Sequence, residues 1–334
     1  MSDTVRDAHA ILFPAIPDLS LRPWMLTLLQ AGTVAVLCGE SREEYVAREM
    51  TQQRQSSESA GDVSGFISQV RNAANAPVLV AVDQEPWGTR RLHRLVPSFP
   101  APADYRGLSD EEIRESAATV ASAALALGVN TFLSPVLDVL RGPNPWLEGR
   151  TLPGGHDEVA RVAAAVVQGM QGAGVLCVAK HFPGFPSLTL DPALEDTSMA
   201  AESSHLNDLV PFRGVVDAGV GAVMTGPAVV SAVDASQPAS TSPAVMDLLR
   251  RHLGFEGLVV SDELDAPGIL HGRTLCETTF ASLQAGVELL LVPGGPELLD
   301  LAAQVADRCR RDSSFASIVS QAARKARNVA AARS

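Results

Sequence analysis

The stretch GVLCVAKHFPG, Gly174 to Gly184, carries five apolar residues, Val175 to Ala179, and then turns abruptly into a Lys-His pair and a proline. A short apolar run without polar alternation is how a strand reads when both of its faces are covered, as in a parallel sheet lined by helices. Working outward, the same kind of run recurs at Val34–Cys38, Val78–Val82, Thr131–Ser134, Ala222–Met224, Leu258–Val260 and Val287–Val292. Between the runs lie charge-rich segments with helical apolar spacing: Glu43–Gln53, Gly65–Ala74, Ser109–Leu127, His156–Gln171, Ser204–Ala218, Pro243–Leu253 and Thr278–Gln284. This repeated alternation predicts an α/β fold of the (β/α)8 TIM-barrel-like kind, with a doubly wound open sheet as the competing architecture. Neither G-x-G-x-x-G nor G-x-x-x-x-G-K-[ST] follows any of the runs, which removes the most familiar dinucleotide and nucleotide sites of an open sheet.

Local signals agree with these units. Ser109 with Glu112 forms a capping-box pattern, and Ser242 before Pro243 places a cap ahead of a first-turn proline. QSSESAGDVS, Gln55 to Ser64, is small and polar with no periodic apolar face, and is expected to be an exposed loop. No long linker divides the chain. We expect one domain over residues 1–334, with helices from about residue 296 packed outside the barrel.

Composition narrows the function classes. The 334 residues are 46% hydrophobic and only 4% aromatic, enough Ala, Val and Leu for a large core. A net charge of −12 argues against nucleic acid or an anionic membrane as partner, since both demand a basic surface. Cys38, Cys177, Cys276 and Cys309 are far apart with no C-x-x-C spacing, so they read as reduced core thiols, with neither a zinc site nor a disulfide framework. No metal or other cofactor is expected. The N-terminal stretch is acidic, and Pro14 and Pro17 interrupt its apolar patch, unlike a secretory leader, so the cytoplasm is the expected location. No apolar run reaches the roughly 18 residues of a membrane helix. The oligomeric state is left open.

In a barrel, chemistry sits where strands finish, so the polar residues just after each run carry the information. Asp83 follows VLVAV, Asp138 follows NTFLSPVL, Arg150 ends PNPWLEGR, Lys180 and His181 follow GVLCVA, Thr225 follows GAVM, and Asp262 follows GLVVS. Singly, each has an ordinary structural explanation: a helix-capping Asp, a solvated Lys, a half-buried His. Charge converging from four or five strand ends is different, and fits a sugar site. Carboxylates accept from hydroxyls, Arg and Lys donate to oxygens, and one carboxylate, with Asp262 as the candidate, can attack an anomeric carbon. The competing role for Asp262 is a structural ion pair with Lys180 or Arg150.

Several ordered motifs resemble glycoside hydrolase family 3, in its single-domain bacterial β-N-acetylhexosaminidase branch. They are VAVDQE at Val80–Glu85, LSPVLDVLRGPNPWLEGR at Leu133–Arg150, KHFPG at Lys180–Gly184, LGFEGLVVSDEL at Leu253–Leu264 and AGVELLLVP at Ala285–Pro293. The resemblance implies a retaining β-glycosidase acting on a small glycoside, most readily an N-acetylhexosaminide. It implies that Asp83, Arg91, Arg150, Lys180 and His181 hold the sugar and that Asp262 is the nucleophile.

The sequence departs from the family where the proton donor belongs. The family continues KHFPGHG and carries an acid/base histidine in a D-S-H triplet. Here these positions read Phe185-Pro186 and Asp191-Pro192-Ala193, and a further histidine after the M-T-A run is replaced by Pro227. Three readings follow. In one, Asp191, Glu195 or Asp196 of the same loop supplies the acid, its pKa raised by apolar neighbours. In another, no acid is needed, because the substrate carries a good leaving group or the acceptor is something other than water, as in a transferase, a phosphorylase or an enzyme tailoring a glycosylated metabolite. In the last, the protein binds a sugar without turnover. His205 and His156 read as helix-start residues outside the pocket.

Overall fold

The computed structural model describes residues 2–200 and 205–333, apart from the side chains of Arg42, Val46 and His205. Among them, one eight-stranded sheet forms the centre of the molecule. Its strands are β1 (Leu12–Ile16), β2 (Ala35–Cys38), β3 (Leu79–Val82), β4 (Thr131–Phe132), β5 (Leu176–Phe182), β6 (Ala222–Thr225), β7 (Leu258–Val260) and β8 (Leu290–Pro293). Each pairs in parallel with the next, and β1 also pairs with β8, so that Leu12 lies beside Leu290 and Ala15 beside Pro293. The ring is completed between β7 and β8 by a bridge from Val260 to Leu289, with Ser261 N donating to Leu289 O at 3.0 Å. This is the (β/α)8 barrel rather than the open sheet. β2 and β3 are buried along their whole length, which is why they contain Val, Leu, Ala and Cys without alternation.

β1 is the strand that the hydrophobic pattern hides. Pro14 lies within it, and a proline inside a strand ordinarily argues against that assignment. The barrel accommodates it because Pro14 pairs in register only with Val292 of β8, while the ladder to β2 begins one residue later at Ala15. Two helices, Asp3–Ala10 and Pro23–Ala31, flank β1.

The expected loop at Gln55–Ser64 is corrected by the structure. Gln52–Ser57 and Ala60–Ala73 are helices that meet at Glu58-Ser59. Ser59 and Asp62 exchange hydrogen bonds as a capping box, and the buried face Val63, Phe66, Ile67 and Val70 starts inside the stretch that reads as aperiodic. The Glu43–Gln53 segment is likewise split, with the first helix ending at Ala47 and Arg48 adopting φ 58°. At the C-terminus, helices Glu297–Arg311 and Ser313–Ala331 pack on the Asp3–Ala10 helix. All four cysteines are free, and Cys38, Cys177 and Cys309 are buried. No helix among the described residues is long and apolar enough to cross a membrane.

A small second sheet matters for the site. Ser198–Met199 runs parallel to Val229–Val230, which pairs antiparallel with Asp234–Pro238. It anchors the far end of the loop that leaves β5. Gly268 N donates to Pro192 O at 3.0 Å, so the middle of the loop is tied to the short helix Pro267–Leu270 behind β7.

Candidate active site

The loop after β3 is folded back on itself so that two carboxylates point into the barrel mouth. Gln84 and Arg90 form an antiparallel bridge, Arg91 N donates to Asp83 O at 2.7 Å, and Glu85 N donates to Thr89 O at 2.8 Å. Gly88 is required at the tip because a Cβ there would lie 1.9 Å from Glu85 Oε2. Thr89 N donates to that same oxygen at 2.9 Å.

The cations come from β5 and from the loop that follows β4. Lys180, at the end of β5, donates to Asp83 Oδ1 at 2.5 Å and lies 2.8 Å from Glu85 Oε1. Arg150 donates to Glu85 Oε1 at 2.6 Å. Burial opposes the charge on Glu85, but Arg150 and Lys180 more than offset it and hold the carboxyl well below its usual range. By the converse balance, burial lowers and the Asp83 and Glu85 carboxylates raise the pKa of Lys180, with a net rise. The group is therefore a fixed charge lattice, with one carboxylate bonded by two cations.

His181 is held by Asp138. Its Nδ1 lies 2.9 Å from Asp138 Oδ2, and the same carboxylate accepts from His181 N and Phe185 N. With the carboxylate as acceptor, Nδ1 is the donor and Nε2 is the nitrogen left for a ligand. The ring packs against Trp146, with centroids 4.3 Å apart.

Two adjoining lobes open at this face. The inner lobe, about 80 Å³, is lined by Glu40, Asp83, Arg150, Lys180 and His181 together with Leu133 and Met224. The outer lobe, about 100 Å³, is lined by Ala193, Pro227, Asp265 and Ala266. Tyr45, Trp146, Asp262 and Glu263 border both.

Asp262 stands at the junction. Its main-chain N donates to Thr225 O, and Oδ1 accepts from Glu263 N at 2.8 Å. Among the described residues it forms no ion pair with Lys180 or Arg150, whose bonds go to Asp83 and Glu85. The structural ion pair that competes for Asp262 in the sequence is thus absent from these partners.

Other expected residues lie elsewhere. Arg91 is buried away from the lobes, donating to Gly39 O at 2.8 Å and in a fork to Glu58 at 2.6 and 2.9 Å. Asp191 accepts from Ala193 N at 2.9 Å and lies 3.8 Å from Arg48. Glu195 and Asp196 are exposed, and Asp196 faces His271 at 3.0 Å. None of these four lines a lobe. His156 lies 3.1 Å from Asp208, outside the cavity, and the side chain of His205 lies outside the described residues.

The loop positions where the resemblance expects histidines are apolar and well placed. Phe185 is fully buried against Trp146, and a Cβ on Gly226 would lie 1.9 Å from its ring. Ala193 and Pro227 face the outer lobe. Sequence reasoning missed Glu40, Tyr45, Trp146 and the role of Glu85 as the bridge between cations. Glu85 stands in the VAVDQE motif, and Glu40 follows a strand run after a single glycine, so both carried a readable signal.

The model of the glycosyl hydrolase family 3 N-terminal domain matches residues 29–325. The chain belongs to glycosyl hydrolase family 3. Within that family it is 31% identical over 236 residues to a beta-hexosaminidase of Tolumonas auensis, covering 69% of this chain and 70% of that protein. It is 32% identical over 249 residues to a beta-hexosaminidase of Thiobacillus denitrificans, covering 71% and 69%. Among solved structures, the beta-N-acetylhexosaminidase of Beutenbergia cavernae superposes with a TM-score of 0.85 over 99% of this chain and 98% of that one, at 24% identity. That last likeness supports the fold.

Proposed function

We propose that the protein is a retaining β-glycosidase for N-acetylhexosaminides, with Asp262 as nucleophile. The observation that carries this reading is the carboxylate at position 262, shared by both lobes and engaged on Oδ1 alone by a main-chain N–H. The inner lobe takes the sugar. Asp83 and His181 Nε2 accept from its hydroxyls, while Lys180 and Arg150 donate to its oxygens. Neither lobe approaches the ~300 Å³ at which pockets for drug-sized ligands begin, so the chamber suits one ring rather than a chain.

Asp262 Oδ2 attacks the anomeric carbon, the bond to the aglycone oxygen breaks, and a glycosyl ester forms. Water then attacks that carbon, the ester C–O bond breaks, and the water's proton passes to solvent, releasing the sugar with retained configuration and restoring the carboxylate. The aglycone oxygen leaves into the outer lobe, where Ala193 and Pro227 offer no proton. We therefore assign the fast reaction to glycosides whose leaving group needs none. The transfer and binding-only alternatives have no observation in their favour, and a nucleophile free of cationic partners favours turnover.

The test is to trap the ester. A dinitrophenyl N-acetyl-β-glucosaminide should load the enzyme quickly, and a site with alanine where the family carries its acid/base histidine should release the sugar slowly. Intact-mass spectrometry is expected to show one sugar per chain, mapped to Asp262 and absent in Asp262→Ala. Turnover with no adduct at that peptide, or undiminished turnover in the variant, would contradict the assignment.

A further inference from the structure

Glu40 stands in the inner lobe, and neither the sequence motifs nor the catalytic scheme uses it. It follows Gly39 at the end of β2, with Gly39 O already accepting from Arg91. Its carboxyl lines the cavity alongside Asp83, Arg150, Lys180 and His181. Oε2 is fully buried and has no hydrogen-bond partner among the described residues. The two neighbouring cations are committed to Asp83 and Glu85. Leaving a buried acceptor or donor unmade is costly, so a buried orphan at the wall of a ligand chamber points to a bond that the ligand completes.

We infer that Glu40 is a glycone-binding residue whose buried, unpartnered carboxyl oxygen completes a hydrogen bond with the sugar. This rests on the glycosidase reading and names a further specificity residue for it. Burial and the nearby Asp83 carboxylate disfavour a further negative charge, and Lys180 and Arg150 only partly offset them, so its pKa is pushed up to about 8. Below that pH the group offers one O–H donor and one acceptor, the pairing that a sugar hydroxyl or amide can satisfy. A deprotonated Glu40 would keep its acceptor oxygens but lose the O–H donor that this bond requires.

The affinity change with pH follows from the sign. Sugar binding is full while Glu40 is protonated and weakens as pH rises through about 8. The other titratable groups facing the lobe are Asp83, Asp262, Glu263, Lys180, Arg150, His181 and Tyr45, with Glu85 packed behind Lys180 and Arg150. All of them persist in Glu40→Gln, which keeps an N–H donor but cannot titrate, so any alkaline change that persists in that variant belongs to them.

The experiment is titration of N-acetylglucosamine, by NMR or calorimetry, into wild type, Glu40→Gln and Glu40→Ala at one pH unit below and above the Glu40 pKa. Wild type should lose affinity several-fold across the interval. E40A should bind about 3- to 10-fold more weakly than wild type at the lower pH, the worth of one hydrogen bond. E40Q should restore most of that loss and lack the alkaline decline. Equal binding by E40A and wild type, or the same pH dependence in wild type and E40Q, overturns the inference. Turnover of an aryl N-acetyl-β-glucosaminide, read on the same samples, separates the two proposals. Turnover with unchanged E40A binding sinks the Glu40 role alone, and a wild type that neither binds nor hydrolyses sinks both. Thermal melting of E40A guards against misfolding, and removing an orphaned acid is expected to leave the melting temperature unchanged or raise it.

Discussion

The two lobes of the cavity share Asp262, Tyr45, Trp146 and Glu263, yet they are built on opposite plans. The inner lobe is a lattice of buried charges held by strand ends, where every cation has a carboxylate partner. The outer lobe is closed by two loops, one presenting Ala193 at the wall while exposing Leu190 and Leu194 to solvent and the other presenting Pro227. Sugar recognition depends on many fixed partners, so losing one leaves an unpaired buried charge. Leaving-group assistance depends on a single mobile acid, so a loop can lose it while the barrel still folds. The difference between the lobes is therefore one of redundancy, and each can be perturbed separately.

The largest effect should come from the lattice. Glu85→Ala removes the carboxylate bonded to Arg150 and leaves Lys180 with Asp83 alone, and breaking a buried network of this kind costs about 3–5 kcal/mol. Denaturant unfolding measures it, and a loss below about 1 kcal/mol would show that the lattice is not a stabilising unit.

The Glu58 fork to Arg91 extends the lattice behind the barrel mouth and should respond to pH. Burial opposes its charge, but bonds from His93 and Arg91 hold Glu58 at about 2. A lowered pKa contributes stability above the ordinary value of about 4.3 that is lost as pH falls toward 2, about 3 kcal/mol in all. Wild type should lose this margin between those pH values, while Glu58→Gln, already lacking it at neutral pH, should show a shallower acid decline. Parallel acid profiles for the two would remove the fork from the account.

The outer lobe should give the smallest change, and in the opposite direction. Ala193→His places an imidazole on the wall beside Asp262, two residues after Asp191, in the spacing of the family's triplet. Because general acid catalysis contributes about 10²–10⁴-fold, even a poorly aligned histidine is expected to raise turnover of an unactivated alkyl glycoside by roughly 10-fold. No gain, with the loop still folded, would mean that the loop no longer reaches the leaving group.

How much of this was readable in the chain follows the same division. The barrel was legible because β2, β3, β5 and β7 are buried on both faces and leave continuous apolar runs. β1 was not, since Pro14 mimics a break. Strand-end logic brought Asp83, Lys180, His181 and Asp262 to one cavity wall, because the direction of residues at a strand's end is set by the barrel, while Arg150, on the loop after β4, was legible only through the family motif. Residues on loops escaped that logic. Arg91 turned back to Glu58, and Glu195 and Asp196 turned outward, because a loop's side chains are aimed by tertiary partners that no local pattern encodes.

The central claim is an intact nucleophile working without a proton donor, and the dependence of turnover on leaving-group acidity measures it most directly. Across aryl N-acetyl-β-glucosaminides of graded phenol pKa, the account predicts a steep fall in kcat/KM as the phenol becomes less acidic, with alkyl glycosides nearly inert. A flat dependence, with alkyl and activated aryl substrates cleaved at comparable rates, would contradict it by showing that an acid reaches the glycosidic oxygen after all.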